Sequence, residues 1–104
     1  MVSYADFEQA AEDSRKLLAK PSNDELLSLY ALFKVAKGED FDKATKPGMF
    51  DLKAKSKYNS WKKCVEEDQL TPEQAQEKYV LLVEELKVKY GYDANKVPEK
   101  TGSD

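Results

Sequence analysis

Tyr30, Phe33 and Lys34 stand three and four residues apart, a spacing that brings side chains to one surface of a helix. Two aromatic rings beside an ammonium can stack on a planar base and neutralise a phosphate, which is nucleotide recognition without bond-making. The same spacing is also the ordinary mark of a core stripe over which a lysine lays its stem. Spacing alone leaves both readings open. Lys53 and Lys57, four apart, share a helical face, whereas Lys55 between them points elsewhere and reads as a solvated side chain. Arg15 is a basic position on an otherwise acidic face of the first helix, open equally to a salt bridge and to a ligand contact.

Other chemistry is thinly represented. The 104 residues contain no histidine and a single cysteine, Cys64, so the commonest general base, the commonest transition-metal ligand and an internal disulfide are all missing. Carboxylates are plentiful but fall at the spacings of solvated helix faces. The expectation is a protein that is not an enzyme and holds neither metal nor cofactor. There is no Gly-rich phosphate loop, so a nucleotide would have to be gripped by side chains. Charge is unevenly placed: from Lys34 to Lys63 nine lysines face four acids, although the whole chain carries -3. A basic middle in an acidic protein suits a local anion site better than a long polyanion, which the remainder would repel.

These residues need elements to hold them. Ser3 with Asp6, Ser22 with Glu25 and Thr71 with Gln74 have the form of capping boxes, the last with Pro72 in the first turn. The first box opens a helix in which Phe7, Ala10, Ala11, Ser14, Leu17 and Leu18 recur at helical spacing, ending before Pro21. The second opens a helix to about Lys37, with Leu26, Leu29, Tyr30, Phe33 and Ala36 as its stripe and Leu27, Ala31 and Lys34 beside it. From Gly38 periodicity stops, and a long ordered loop reaches Asp51, which can cap a third helix carrying Ala54, Tyr58, Trp61 and Val65 on one face. The fourth helix carries Ala75, Tyr79, Leu82, Val83, Leu86 and Tyr90 and stops at Gly91. The fold class expected is all-α, a four-helix bundle with a long loop between helices 2 and 3. Short connections near Pro21 and Gln69 predict antiparallel neighbours there. One domain over 1–91 is expected, with 92–104 a polar, frayed tail.

Taken in order, Tyr30-x-x-Phe33-Lys34-x-Ala36-x-Gly38-x-Asp40, Lys46-Pro47-Gly48-Met49-Phe50-Asp51 and Lys53-x-Lys55-Ser56-Lys57-Tyr58-Asn59-Ser60-Trp61 resemble the core signature of acyl-CoA-binding proteins. The likeness runs from Phe7 to Gly91 and includes Lys20-Pro21 and Val83-Glu84-Glu85-Leu86-x-x-x-Tyr90-Gly91. It implies a four-helix bowl that binds one medium- to long-chain fatty acyl-CoA per monomer. By position, Tyr30, Phe33, Lys34 and Lys57 would hold the adenine ring and its 3′-phosphate, with Arg15 and Lys53 adding charge. Phe7, Ala11, Leu27 and Tyr79 would line the ligand's path, and Tyr58 would touch the acyl chain. The sequence departs from the family's usual pattern at Phe33, Val35 and Tyr58, where tyrosine, glutamine and tryptophan are common, and its loop after Ala36 and its connector before Thr71 are longer than usual.

The partners expected are a long-chain fatty acyl-CoA and, transiently, membranes or acyl-CoA-using enzymes, but neither nucleic acid nor an integral membrane position. The chain offers no apolar run near the roughly 18 residues a span requires and no basic leader into an apolar stretch, so a cytoplasmic protein is expected, and the resemblance implies a monomer. The alternative readings are a helical nucleic-acid binder using the Lys-rich middle and a protein-interaction module with an apolar groove.

Overall fold

The computed structural model describes residues 2–96. Four α-helices account for most of them: α1 Tyr4–Asp13, α2 Asn23–Ala36, α3 Leu52–Glu66 and α4 Pro72–Tyr90, with a 3-10 turn Phe41–Lys43 inside the long loop. Each predicted N-terminus is built as its residues require. The Ser3, Ser22 and Thr71 side chains accept from the N–H three residues on, and Asp6, Glu25 and Gln74 accept the reciprocal bond from the cap backbone. Asp51 accepts from the Ala54 N–H and opens α3.

α1 is shorter than its apolar spacing predicts. It ends at Asp13, because residues 14–18 leave the helix to pair with the far end of the chain. Leu17 bridges to Tyr92, the Leu18 N–H donates to the Gly91 carbonyl at 3.0 Å, and the Asp93 N–H donates to the Lys16 carbonyl at 3.2 Å. Leu17 is thereby buried and Leu18 is turned outward. Gly91 holds a φ of 82°, a conformation that favours glycine, and a Cβ there would stand 2.8 Å from Leu18 Cδ1, so the exposed Leu18 side chain would also have to shift. The polar segment expected to fray from residue 92 thus begins with paired residues, and 97–104 lie outside the described residues.

The connection between α1 and α2 is correspondingly long, and α1 packs on α4, while α2 packs on both α3 and α4. Ala75, Tyr79, Val83 and Leu86 form the buried stripe of α4, and Phe7 and Ala10 meet it from α1. On α2 the buried set is Leu29, Ala31, Leu32, Val35 and Ala36. That face is turned from the predicted stripe, and the turn moves Tyr30 and Phe33 from the core to its edge, half-buried. α3 buries only Trp61 and so forms the most exposed wall of the bundle. Among the described residues no helix is long and apolar enough to cross a membrane.

α2 and α4 are tied at the surface by Glu25, which accepts from the Tyr90 hydroxyl, from the Ser22 N–H at 2.8 Å and from Lys89 Nζ at 3.0 Å. The Tyr90 bond first, then the Ser22 N–H and Lys89, hold its carboxyl at a pKa of about 2, against an ordinary 4.5. A depressed carboxylate pKa means that the unfolded chain takes up the proton more readily, so this contribution is complete above 4.5 and is lost as pH falls toward 2. Thermal melts followed by circular dichroism should lose Tm through that window. Glu25→Gln should flatten the decline, and an unchanged slope in the variant would assign acid lability to other groups.

Candidate functional site

Tyr30 and Lys34 project from α2 toward Lys57, Tyr58 and Trp61 of α3, and together they border a cleft of about 500 Å³. Lys34 Nζ lies 5.5 Å from the Tyr30 ring centroid and 5.6 Å from that of Trp61, and Lys57 Nζ lies 5.2 Å from Tyr30. One aromatic ring is therefore flanked by two ammonium groups drawn from two helices. The long loop supplies the remaining wall through Glu39, Asp40, Lys43, Ala44, Thr45, Lys46 and Pro47. Phe41 pins that loop in place, its ring 4.9 Å from Tyr58 and 5.0 Å, edge-on, from Trp61. The 3-10 turn that presents Phe41 starts at Asp40, whose side chain accepts the Asp42 N–H at 3.0 Å.

Lys34 already has a counter-ion inside this cleft. Its Nζ donates to Glu39 Oε1 at 3.1 Å, with both side chains partly open to solvent. An incoming anion must therefore exchange with a carboxylate. Such an exchange costs little, because exposed ion pairs contribute only about 0.2–1 kcal/mol.

A second cleft, about 380 Å³, lies between α1 and α2 and is lined by Phe7, Glu8, Ala11, Glu12, Arg15, Phe33 and Lys37. Phe7 forms its floor, 5.6 Å from the Phe33 ring and 5.1 Å, edge-on, from Tyr79. Tyr79 itself is wholly buried, its hydroxyl 3.4 Å from Ser14 Oγ. Arg15 stands in the turn after α1 and not on the helix. Leu27 lines a third cleft, about 610 Å³, with Ala31, Ser60 and Cys64. Lys53 is exposed and lines none of these three. Of the eleven residues singled out by sequence, the structure joins Tyr30, Lys34, Lys57 and Tyr58 in one cleft and Phe7, Ala11, Arg15 and Phe33 in another.

Trp61 and Glu39 line the first cleft, Phe41 braces its loop wall, and none of the three was among the residues singled out by sequence. Phe41 had no periodic partner to mark it, and Trp61 read as core, which it also is at 6% exposure. Glu39 gave only the signal of an acid five residues after a lysine.

Residues 4–83 match the family model described as acyl-CoA-binding protein. The chain belongs to the acyl-CoA-binding protein family. It is 52% identical over 86 residues to acyl-CoA-binding protein homolog 1 of Caenorhabditis elegans, covering 82% of this chain and 94% of that one. The homolog of Manduca sexta is 46% identical over 80 residues, 77% of this chain and 86% of its own. Among solved structures, the crystal structure of Oryza sativa acyl-CoA-binding protein 2 superposes with a TM-score of 0.73 at 29% identity, covering 90% of this chain and 98% of that chain. As an acyl-CoA-binding protein it keeps the expected all-α architecture, with Phe33 and Tyr58 lining clefts and Val35 buried.

Proposed function

We infer that this protein binds fatty acyl-CoA esters without covalent chemistry, shields the acyl chain and carries the ester through the cytosol as a monomer. The observation that carries the reading is the convergence of Tyr30, Lys34 and Lys57 on one cleft in a chain of this family. In this reading Tyr30, Lys34 and Lys57 hold the adenine ring and its 3′-phosphate in the first cleft, Phe33 meets the ligand from the second cleft, and Arg15 and Lys53 add charge. Phe7, Ala11 and Leu27 line the ligand's path, buried Tyr79 backs Phe7, and Tyr58 meets the acyl chain of a medium- to long-chain ester. Phe33 retains stacking but offers no phenolic hydroxyl to a phosphate.

A carrier role without catalysis is supported by where the perturbed groups stand. The Asp13, Glu25, Lys87 and Lys89 shifts arise from contacts that join helices away from the three clefts. Burial, and then Asp68, push the Cys64 thiol up, which suppresses the thiolate a nucleophile needs. The ligand is a polyanion at one end and hydrocarbon at the other. Complete shielding of a sixteen-carbon chain is worth on the order of 12 kcal/mol at ~0.8 kcal/mol per methylene, against about 4–15 kcal/mol for immobilisation. The head group therefore decides whether binding is tight. Titration calorimetry should find palmitoyl-CoA bound at least about a hundredfold more tightly than palmitate, a gap of about 2.7 kcal/mol. Equal affinities would refute a head-group-led site.

A further inference from the structure

The loop that walls the first cleft ends in two apolar side chains turned to solvent and α3 opens on a third: Met49 is 75% exposed, Phe50 92% and Leu52 73%. A phenylalanine reaches such exposure only by protruding, and nothing in the fold is gained by it. Lys46 and Pro47 just before this tip, and Ala54 and Lys57 just after it, line the cleft, so the tip stands at the cleft's rim. Its surroundings are basic. Residues 43–57 contain five lysines and one acid, Asp51, whose carboxylate is occupied with the Ala54 N–H at 3.1 Å. Lys43, Lys46, Lys53 and Lys55 are exposed. Of the acids just before this segment, Glu39 pairs with Lys34 and Asp40 accepts from the Asp42 N–H, which leaves Asp42 as one exposed acid at its lysine-rich edge.

We propose that the segment 46–55 docks the protein on anionic phospholipid surfaces, with Met49, Phe50 and Leu52 entering the interface while Lys46, Lys53 and Lys55 meet headgroups. An apolar tip ringed by ammonium groups matches a surface that is negative outside and hydrocarbon beneath. The lysines are spaced for many headgroups and converge on no single partner. The remaining acidic surface is repelled by the same membrane, so docking fixes the orientation and sets the cleft rim against the lipid. The docking stands on these side chains by themselves. Only its use, loading and unloading acyl-CoA where it partitions into lipid, rests on the function proposed above.

The test is co-sedimentation of the full chain with vesicles of phosphatidylcholine, with and without phosphatidylserine, at low and high salt. The parent should pellet with phosphatidylserine vesicles, weakly with phosphatidylcholine alone, and less as salt rises. A Met49→Ser, Phe50→Ser double variant should lose at least about tenfold in partitioning, from the apolar transfer it forfeits. Lys55→Glu should lose binding to the phosphatidylserine vesicles alone. Both variants should titrate palmitoyl-CoA like the parent when vesicles are absent. A parent that fails to pellet with phosphatidylserine vesicles overturns the proposal and leaves the tip to a protein partner, and a double variant that pellets like the parent overturns it too. A parent that binds vesicles but ignores palmitoyl-CoA would sink the carrier function and leave the docking intact.

Discussion

Lys34→Ala and Lys57→Ala should each weaken palmitoyl-CoA binding by about 1–3 kcal/mol, or roughly 5- to 150-fold in Kd, the range of a lost charge-assisted hydrogen bond. Both ammonium groups flank the Tyr30 ring, at 5.5 and 5.2 Å, so they serve one bound group and their losses should not add. The two variants should also differ. Removing Lys34 strips Glu39 of its partner and leaves a bare carboxylate in the cleft, which repels phosphate, whereas removing Lys57 exposes no such charge. Lys34→Ala is therefore the more damaging. Glu39→Gln works in the opposite sense, because it frees Lys34 and removes the competing anion, and should tighten binding by about 2- to 5-fold. Calorimetry at two ionic strengths checks all three, with circular dichroism confirming that the helices persist. If Lys34→Ala and Lys57→Ala both titrate like the parent, the cleft between α2 and α3 is not where the head group binds.

How much of this could be read from the residues depends on the range of the interactions involved. The three capping boxes and the Asp51 cap join groups three residues apart, and local spacing announces them. The proximity of Tyr30 to Lys34 is of the same kind. The end of α1 is not, since it is fixed by Leu17 meeting Tyr92 from the far end of the chain. Leu17 and Leu18 fit helical spacing, but a backbone pairing from elsewhere outweighed that propensity. The burial of α2 also misled its pattern. Leu32 and Val35 face α3 and α4, and this rotation is what leaves Tyr30 and Phe33 at the edge, where rings can meet a ligand. Phe41 belongs to an aperiodic loop, and only its contacts with Tyr58 and Trp61 reveal that it holds the cleft wall. Lys53 and Lys57 look equivalent by spacing, yet a single cleft takes only Lys57.

Lys87→Met should cost about 3 kcal/mol of unfolding free energy, the expected penalty for leaving a buried charge without its partner, and lower Tm by roughly 12–20 °C in a domain of this size. Lys87 Nζ donates to Asp13 Oδ2 at 2.7 Å, where the Asp13 side chain is only 8% exposed. Gln9 Nε2 and the Tyr92 hydroxyl each donate to its other oxygen at 2.9 Å. Burial pushes the Asp13 carboxyl up, but Lys87 and then Gln9 and Tyr92 outweigh it and leave it below its ordinary 3.8. Without Lys87 two neutral donors face a buried anion, and the balance reverses. The gap between parent and variant is therefore complete above the ordinary carboxylate range and closes as pH falls and Asp13 takes a proton. An Asp13→Asn, Lys87→Met double variant should recover most of the loss, since no charge is then stranded. This knot also secures residues 14–18 against 91–93, which places Arg15 at the second cleft. Well below its Tm, then, Lys87→Met can weaken palmitoyl-CoA binding only as far as Arg15→Ala does. A larger loss would mean that Lys87 acts on the ligand directly, and a variant that melts with the parent would mean that Asp13 was never dependent on it.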